Sequence, residues 1–161
     1  MLSRKSSTDP AAQRLSPDGN SPARAFDAAC MPDRFTSRAL AVEELINVDT
    51  FLIALADSAD QPTRLLELQK SLVADEDEEH DFDSYCLVVD GAATHYGGVL
   101  VCHLTAQTLQ LQLDEQAADV LETDGFEIAL DLSMVEWAVL RAGLMRLFEG
   151  GRLAPATLVL E

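Results

Sequence analysis

The chain has 161 residues, of which 48% are hydrophobic, and its 28 acidic and 11 basic residues give a net charge of −17. A chain of this length forms one domain of ordinary size with a sizeable core, which excludes two large domains and makes disulfide or metal cross-links unnecessary. The negative field repels phosphate backbones and anionic lipid headgroups, so nucleic acid and membrane surfaces are excluded as partners in favour of a basic protein or a cation.

Residues 1–34 contain four prolines and many polar residues, without the apolar periodicity of a helix or a strand. We interpret them as a disordered arm that precedes a single α+β domain over 35–161. The arm begins with basic residues but lacks the apolar stretch of a signal peptide, and no run of about 18 apolar residues occurs in the chain. Because the domain holds 24 acidic and 6 basic residues, the negative field belongs to the folded part.

The first part of the domain has the pattern of β-structure. Residues 39–45 and 51–56 are short apolar runs separated by a polar break, which predicts two neighbouring strands. In 64–70, leucines alternate with polar residues, which predicts a half-buried strand. The segments 84–89 and 94–104 flank Asp90-Gly91, a dipeptide that favours the turn of a hairpin.

The second part of the domain combines strands and helices. Alternating leucines over 109–113 and apolar residues over 126–130 extend the predicted hairpin into an antiparallel meander. Asp114 can cap a short helix over 115–121, and Ser133 with Glu136 forms a capping box before a longer helix that ends at Gly150. Residues 153–160 contain Pro155 and are interpreted as an edge strand or a loose tail. The predicted fold is α+β, a mainly antiparallel meander with one short helix and one longer C-terminal helix packed on a face.

The chain lacks the motifs of common enzyme and cofactor sites, including the zinc-protease, phosphate-loop, dinucleotide and serine-hydrolase patterns. Three histidines are scattered, and the odd count of three cysteines without a C-x-x-C spacing is typical of reduced thiols in the cytoplasm. We therefore expect no catalytic activity, no cofactor and no metal site. An enzyme that uses scattered carboxylates is the disfavoured alternative, because no acid–base pair can be singled out.

The densest charged feature lies between two predicted strands, where seven of nine consecutive residues are carboxylic acids. An EF-hand calcium loop is excluded, because neither the glycine at position 6 nor the glutamate at position 12 is present. The remaining interpretations are a solvated loop, weak and nonspecific cation binding, and an acidic segment that pairs with the basic cleft of a partner protein. The acidic run consists of Asp75, Glu76, Asp77, Glu78, Glu79, Asp81 and Asp83.

Two adjacent glycines interrupt the second arm of the predicted hairpin, directly after a tyrosine. Gly97 and Gly98 indicate either a bulge or a close approach of another backbone. Tyr85 and Tyr96, on the two arms, would form an aromatic patch beside the acidic run. These four residues and the acidic run are the predicted partner-binding surface.

Four segments in this order resemble the Immunity protein 10 family of bacterial polymorphic-toxin systems: Leu68-Gln69-Lys70, the acidic run, Asp83-Ser84-Tyr85-Cys86 and Tyr96-Gly97-Gly98. The resemblance extends over about residues 35–149. It departs from the family pattern at Phe82, where a glycine is common, and the arm has no counterpart.

The resemblance implies a small cytoplasmic α+β protein that binds a cognate toxin stoichiometrically and neutralises it, without catalysis. An acidic interaction module that has no toxin partner is the alternative, since it would lack the same catalytic motifs. The implied partner is a toxin with a basic binding surface.

Overall fold

The computed structural model describes residues 31–73, 85–150 and 154–161. The acidic run lies outside the described residues, as do residues 1–30 of the predicted arm. The elements in chain order are β1 (Asp33–Ser37), β2 (Ala39–Leu45), β3 (Thr50–Ala56), β4 (Leu65–Ser71), β5 (Cys86–Val89), β6 (Ala93–Tyr96), β7 (Val99–Leu104), β8 (Thr108–Leu113), α1 (Glu115–Leu121), β9 (Gly125–Leu130), α2 (Met134–Phe148) and β10 (Thr157–Leu160).

The strands form two five-stranded sheets. One sheet is an uninterrupted antiparallel meander in the order β2-β3-β4-β5-β6. The predicted pairing of 39–45 with 51–56 is confirmed, and so is the half-buried strand, in which Leu66 and Leu68 are fully buried. The predicted Asp90-Gly91 turn joins β5 to β6, and both residues have positive φ.

The other sheet has the order β1-β9-β8-β7-β10. Its centre, β7-β8-β9, is the predicted antiparallel extension, while β1 and β10 add parallel strands at its two edges. The last strand, Thr157–Leu160, confirms the edge-strand interpretation for these four residues of the segment 153–160. β1 begins at Asp33, inside the segment that the sequence assigned to the arm, because the Asp33 backbone N–H donates to the Thr123 hydroxyl and the strand pairs with β9.

The division into two sheets differs from the single meander that the sequence predicted. The segment 94–104 is two strands, because the chain leaves one sheet at Tyr96 and enters the other at Val99. Gly97 and Gly98 make this crossover with φ of 69° and 87°, a region that side-chain-bearing residues avoid. The two glycines are therefore the junction of the sheets.

Both predicted helices form with their predicted caps. The Asp114 carboxylate accepts from the Ala117 backbone N–H at the start of α1, and the Ser133–Glu136 capping box is complete at the start of α2. α1 packs against β6 and β8, whereas α2 packs against β2, β3 and β4. Gly143 lets α2 lie close to the sheet, since a Cβ there would sit 3.2 Å from side-chain atoms of Val42 and Ile53.

A single hydrophobic cluster joins both sheets and both helices. Its fully buried members include Ile53, Leu68 and Leu87 from one sheet, Ile128 from the other, and Leu140 from α2. Trp137 is half-buried, and its indole N–H donates to the Thr105 carbonyl at 2.8 Å. Because both sheets share one core, the sheet junction at Gly97–Gly98 is held in a fixed position relative to each of them.

Candidate partner-binding surface

The candidate surface lies at one end of the β2-to-β6 sheet, where the β2–β3 turn, the end of β4, the start of β5 and the end of β6 meet. In sequence, the acidic run connects the end of β4 to the start of β5, since it separates Val73 from Tyr85. The described residues on either side of the run, Val73 and Tyr85, therefore both lie at this end of the sheet.

An open groove of about 200 Å³ marks this end of the sheet. Its walls include Val48 and Asp49 from the β2–β3 turn, Lys70 from β4, Cys86 from β5 and Tyr96 from β6. The Tyr96 side chain is 61% exposed and Val48 is 62% exposed, so the rim is partly apolar. Tyrosine presents an apolar ring together with a hydroxyl, which suits a protein interface.

Tyr85 does not lie on this surface, which corrects the predicted aromatic patch. Its side chain is only 2% exposed, and its hydroxyl accepts from the Val99 backbone N–H at 2.9 Å. Its ring and that of Phe148 form a T-shaped pair with centroids 5.0 Å apart. The Tyr85 carbonyl also accepts from the Gly97 N–H at 2.8 Å. Burial raises the pKa of the Tyr85 phenol to about 12. Tyr85 is thus a core residue, and its hydroxyl and carbonyl hold the backbone of the sheet junction at Val99 and Gly97.

Gly98 lets α1 pack closely against the junction of the two sheets. A Cβ at Gly98 would lie 2.5 Å from the Ala117 Cβ, and the Gly98 carbonyl accepts from the Asp114 N–H at 2.8 Å. The close neighbour of Gly98 is a helix side chain, and not another backbone as the glycine pair suggested. α1 therefore packs against β6, the strand that carries Tyr96.

The exposed side of α1 is a second acidic feature, which the sequence interpretation did not assign to the surface. Residues 114–124 contain five carboxylic acids and no basic residue. Four of them, on α1 and in the turn that follows it, are exposed, and we call them the exposed α1 carboxylates: Glu115, Asp119, Glu122 and Asp124. Their charge was visible in the sequence, but the packing of α1 against β6 depends on the crossover between sheets.

The lysine and arginine side chains in the described ranges form ion pairs or hydrogen bonds within the protein. Four arginines form ion pairs with carboxylates, whereas Lys70 and Arg141 donate to the backbone carbonyls of Glu149 and Leu160. The ion-paired arginines are Arg34, Arg38, Arg64 and Arg146. Within the same ranges the exposed α1 carboxylates have no ion pair, so the charge offered to a partner there is negative.

The histidines and cysteines of the described ranges do not form a reactive cluster. No group of three His, Cys, Asp or Glu residues there is arranged to hold a metal ion. Cys86 and Cys102 are free cysteines, and burial raises the pKa of both thiols, for Cys102 to about 12. Neither thiol is activated as a nucleophile, because the thiolate is the reactive form. None of the described helices is long and apolar enough to cross a membrane.

The described residues define a small α+β protein with two five-stranded sheets and an open groove at one end of the β2-to-β6 sheet. The model of the Immunity protein 10 family matches residues 36–138, which is well over half of the chain. The chain belongs to the Immunity protein 10 family. No curated protein and no solved structure matches it.

Proposed function

We propose that this chain binds one cognate bacterial toxin stoichiometrically in the cytoplasm and blocks its activity without catalysis. The observation that carries the proposal is membership of the Immunity protein 10 family, whose name assigns protection as the general role. A toxin that is neutralised by binding needs an inhibitor with a complementary surface, and a net charge of −17 suits a toxin with a basic one.

The proposed contact surface has three parts. The acidic run of residues 75–83 supplies most of the charge, the exposed α1 carboxylates extend it, and Tyr96 with the Gly97–Gly98 junction supplies apolar and backbone contacts. Charge would speed the encounter with a basic toxin, while the tyrosine rim would slow dissociation, because aromatic anchors carry much of the binding energy of interfaces. Tyr85 is excluded from direct contact because it is buried.

The function is tested by co-expression with toxins encoded beside the gene for this chain. We expect cells that produce the active toxin to survive when the full chain is present and to die when it is absent. We also expect a one-to-one complex to co-purify with the toxin. If every such toxin kills equally well in the presence of the chain, the proposal is wrong, and the alternative of an acidic interaction module without a toxin partner is favoured.

The charged part of the surface is tested by association kinetics with the purified toxin. Replacing Asp75, Glu76, Asp77, Glu78 and Glu79 with serine should slow association about 10-fold at low salt, because long-range attraction steers the encounter. The triple variant Glu115→Gln, Asp119→Asn, Glu122→Gln should slow it by a smaller factor. Both differences should shrink as salt screens the charges.

A matched control removes three carboxylates from the other end of the protein. Asp60 follows β3, Asp131 follows β9 beside Arg38, and Glu161 follows β10. Asp60→Asn, Asp131→Asn, Glu161→Gln changes the net charge as much as the α1 triple variant does. Equal slowing by the control and the α1 variant would mean that total charge, and not this surface, determines the rate.

A further inference from the structure

The β2-to-β6 sheet has a core side and an outer side. Ile53, Leu68 and Leu87 are cross-strand partners that are fully buried on the core side. Since successive side chains of a strand alternate between the two sides of a sheet, the adjacent row of cross-strand partners lies on the outer side. We call this side the outer face of the sheet, and its first row consists of Glu43, Leu52, Gln69, Cys86 and Tyr96.

Both described helices lie on the core side of this sheet. α2 approaches the sheet at the side chain of Ile53. A Cβ at Gly98 would lie next to both Ala117 of α1 and the ring of His95. His95 is the cross-strand partner of the buried Leu87, so α1 is on the core side as well. The outer face is therefore not covered by α1 or α2.

The outer face carries negative side chains and no positive ones. Burial, and then the negative charge of Glu67, raise the pKa of the Cys86 thiol, which agrees with a position of both on this face. Neither row of the face contains a lysine or an arginine, and Glu43 and Glu67 take part in none of the ion pairs of the described ranges. Charge complementarity therefore favours a cationic partner here. The second row consists of Ala41, Ala54, Glu67, Val88 and Thr94.

The groove of about 200 Å³ continues the first row of the outer face, because Gln69, Cys86 and Tyr96 belong to both. Pockets for cofactors and other small ligands are larger, with volumes of roughly 300–1,000 Å³. The size of this groove instead suits a single side chain that a partner protein presents.

Lys70 lines the groove, but its positive charge is directed elsewhere. Its cross-strand partner is Phe51, which is buried on the core side of the sheet. Its ammonium donates to the Glu149 backbone carbonyl, at the end of α2, at 2.9 Å. The charged side chain that the groove offers to a partner is therefore Asp49.

The groups of the groove suit a guanidinium better than an ammonium. The Asp49 carboxylate takes part in no ion pair of the described ranges, the Tyr96 ring is exposed, and Gln69 adds a side-chain amide. A planar guanidinium stacks on an aromatic ring while its N–H groups donate to a carboxylate, whereas an ammonium has no planar face. The side chain that fits this combination is arginine.

We propose that the groove binds the guanidinium of an arginine side chain, between the Asp49 carboxylate and the Tyr96 ring, and that the outer face of the sheet receives the surface around that arginine. The proposal rests on the proposed function for the identity of the partner, which is the toxin. The binding of a guanidinium by the groove can be measured without a toxin.

The test is a titration of the ¹⁵N-labelled full chain with N-acetylarginine amide, followed by two-dimensional NMR at constant ionic strength. We expect saturable shifts of the backbone amides of Asp49, Gln69 and Tyr96, with half-saturation at about 10 mM, because two exposed contacts bind weakly. N-acetylcitrulline amide, in which a neutral urea of the same shape replaces the guanidinium, should bind at least about 5-fold more weakly.

Two variants test the two contacts separately. Asp49→Asn removes the charge and Tyr96→Leu removes the aromatic ring, and each should raise the half-saturation concentration about 3-fold. Asn accepts the left-handed conformation of Asp49, and Tyr96 is exposed, so both variants should fold. The matched control is Glu122→Gln, which removes the same charge from another exposed residue with positive φ and should leave the half-saturation concentration unchanged.

The proposal is overturned if the groove amides do not saturate up to about 100 mM of the arginine probe, a concentration that populates even very weak binding. It is also overturned if the shifts are confined to the acidic run, if citrulline binds equally well, or if Glu122→Gln weakens binding as much as Asp49→Asn. Saturable binding of the probe without neutralisation of any toxin would support the groove and reject the proposed function. Neutralisation of a toxin without binding of the probe would reject the groove alone.

Discussion

We expect Gly98→Ala to lower the free energy of unfolding by about 3 kcal/mol, since it combines left-handed backbone strain with a steric clash. Gly98 has a φ of +87°, and an added Cβ would lie 2.5 Å from the Ala117 Cβ, closer than two carbon atoms can pack. The helix α1 would have to move away from the sheet junction. Urea denaturation of the full chain measures the change.

Gly91→Ala is the matched control for this prediction. Gly91 has a φ of +68°, but a Cβ there would meet no atom within 4 Å. It should therefore lose only the contribution of backbone strain, about 1 kcal/mol. The difference between the two variants isolates the contact with α1.

A double-mutant cycle tests whether the loss of stability comes from the clash between position 98 and Ala117. Ala117→Gly removes the atom that an alanine at position 98 would strike, at the usual cost of a glycine in a helix, about 1 kcal/mol. The combined variant should be less destabilised than the sum of the two single changes, because the clash is absent. Simple additivity would show that Gly98 is not packed against α1.

The local elements were predictable because their signals are local. The capping box at Ser133 and the carboxylate cap at Asp114 are satisfied by amides three residues along the chain, as the sequence indicates. The strand 39–45 has the bounds that its apolar run predicted. The hairpin turn at Asp90-Gly91 could be predicted as well, since these two residue types tolerate the positive φ that such a turn requires.

The division into two sheets could not be predicted in this way. β1 pairs with β9 and β10 pairs with β7, across large separations in sequence, and those partners depend on the packing of the whole core. Period-two alternation specifies that a strand has a buried face, but it does not specify which sheet the strand joins. The glycine pair was visible as an interruption, yet only the three-dimensional pairing shows that it joins the sheets.

The candidate surface shows the same limit. Tyr85 and Tyr96 look equivalent in sequence, because each lies near one end of a predicted strand. Tyr85 is 2% exposed because it packs in the core against Phe148, whereas Tyr96 is 61% exposed because it lies on an edge strand. Charge, by contrast, was evident from composition, because a net charge of −17 does not depend on the fold.

The different burial of the two tyrosines predicts that one acts on stability and the other on the proposed binding. Tyr85→Phe leaves the Val99 backbone N–H without its partner in a buried site, which should cost about 1–3 kcal/mol of unfolding free energy. Tyr85→Ala also removes the ring from the core and should cost about 3–5 kcal/mol. Urea denaturation measures both. Because the toxin cannot reach a buried side chain, the folded Tyr85→Phe variant should associate with toxin at the wild-type rate.

Alkaline pH gives an independent check on the burial of Tyr85. The pKa of its phenol is raised from 10.0 to about 12 in the folded protein, so the unfolded chain releases the proton first. The contribution of Tyr85 to stability is complete below pH 10 and is lost as the pH rises towards 12. Tyr85→Phe removes this ionisation, so its stability should fall less steeply over that interval than that of the wild-type chain.

Tyr96 serves as the control for Tyr85, because its replacement should affect binding and not stability. Tyr96→Ala should change the unfolding free energy by less than about 0.5 kcal/mol, because the side chain is largely in solvent. It should instead raise the dissociation rate of the toxin complex, since aromatic residues at an interface act chiefly on the lifetime of the complex. If Tyr85→Phe kept wild-type stability and Tyr96→Ala kept wild-type binding, the junction would not be fixed by the buried tyrosine, and the exposed one would not contact the partner.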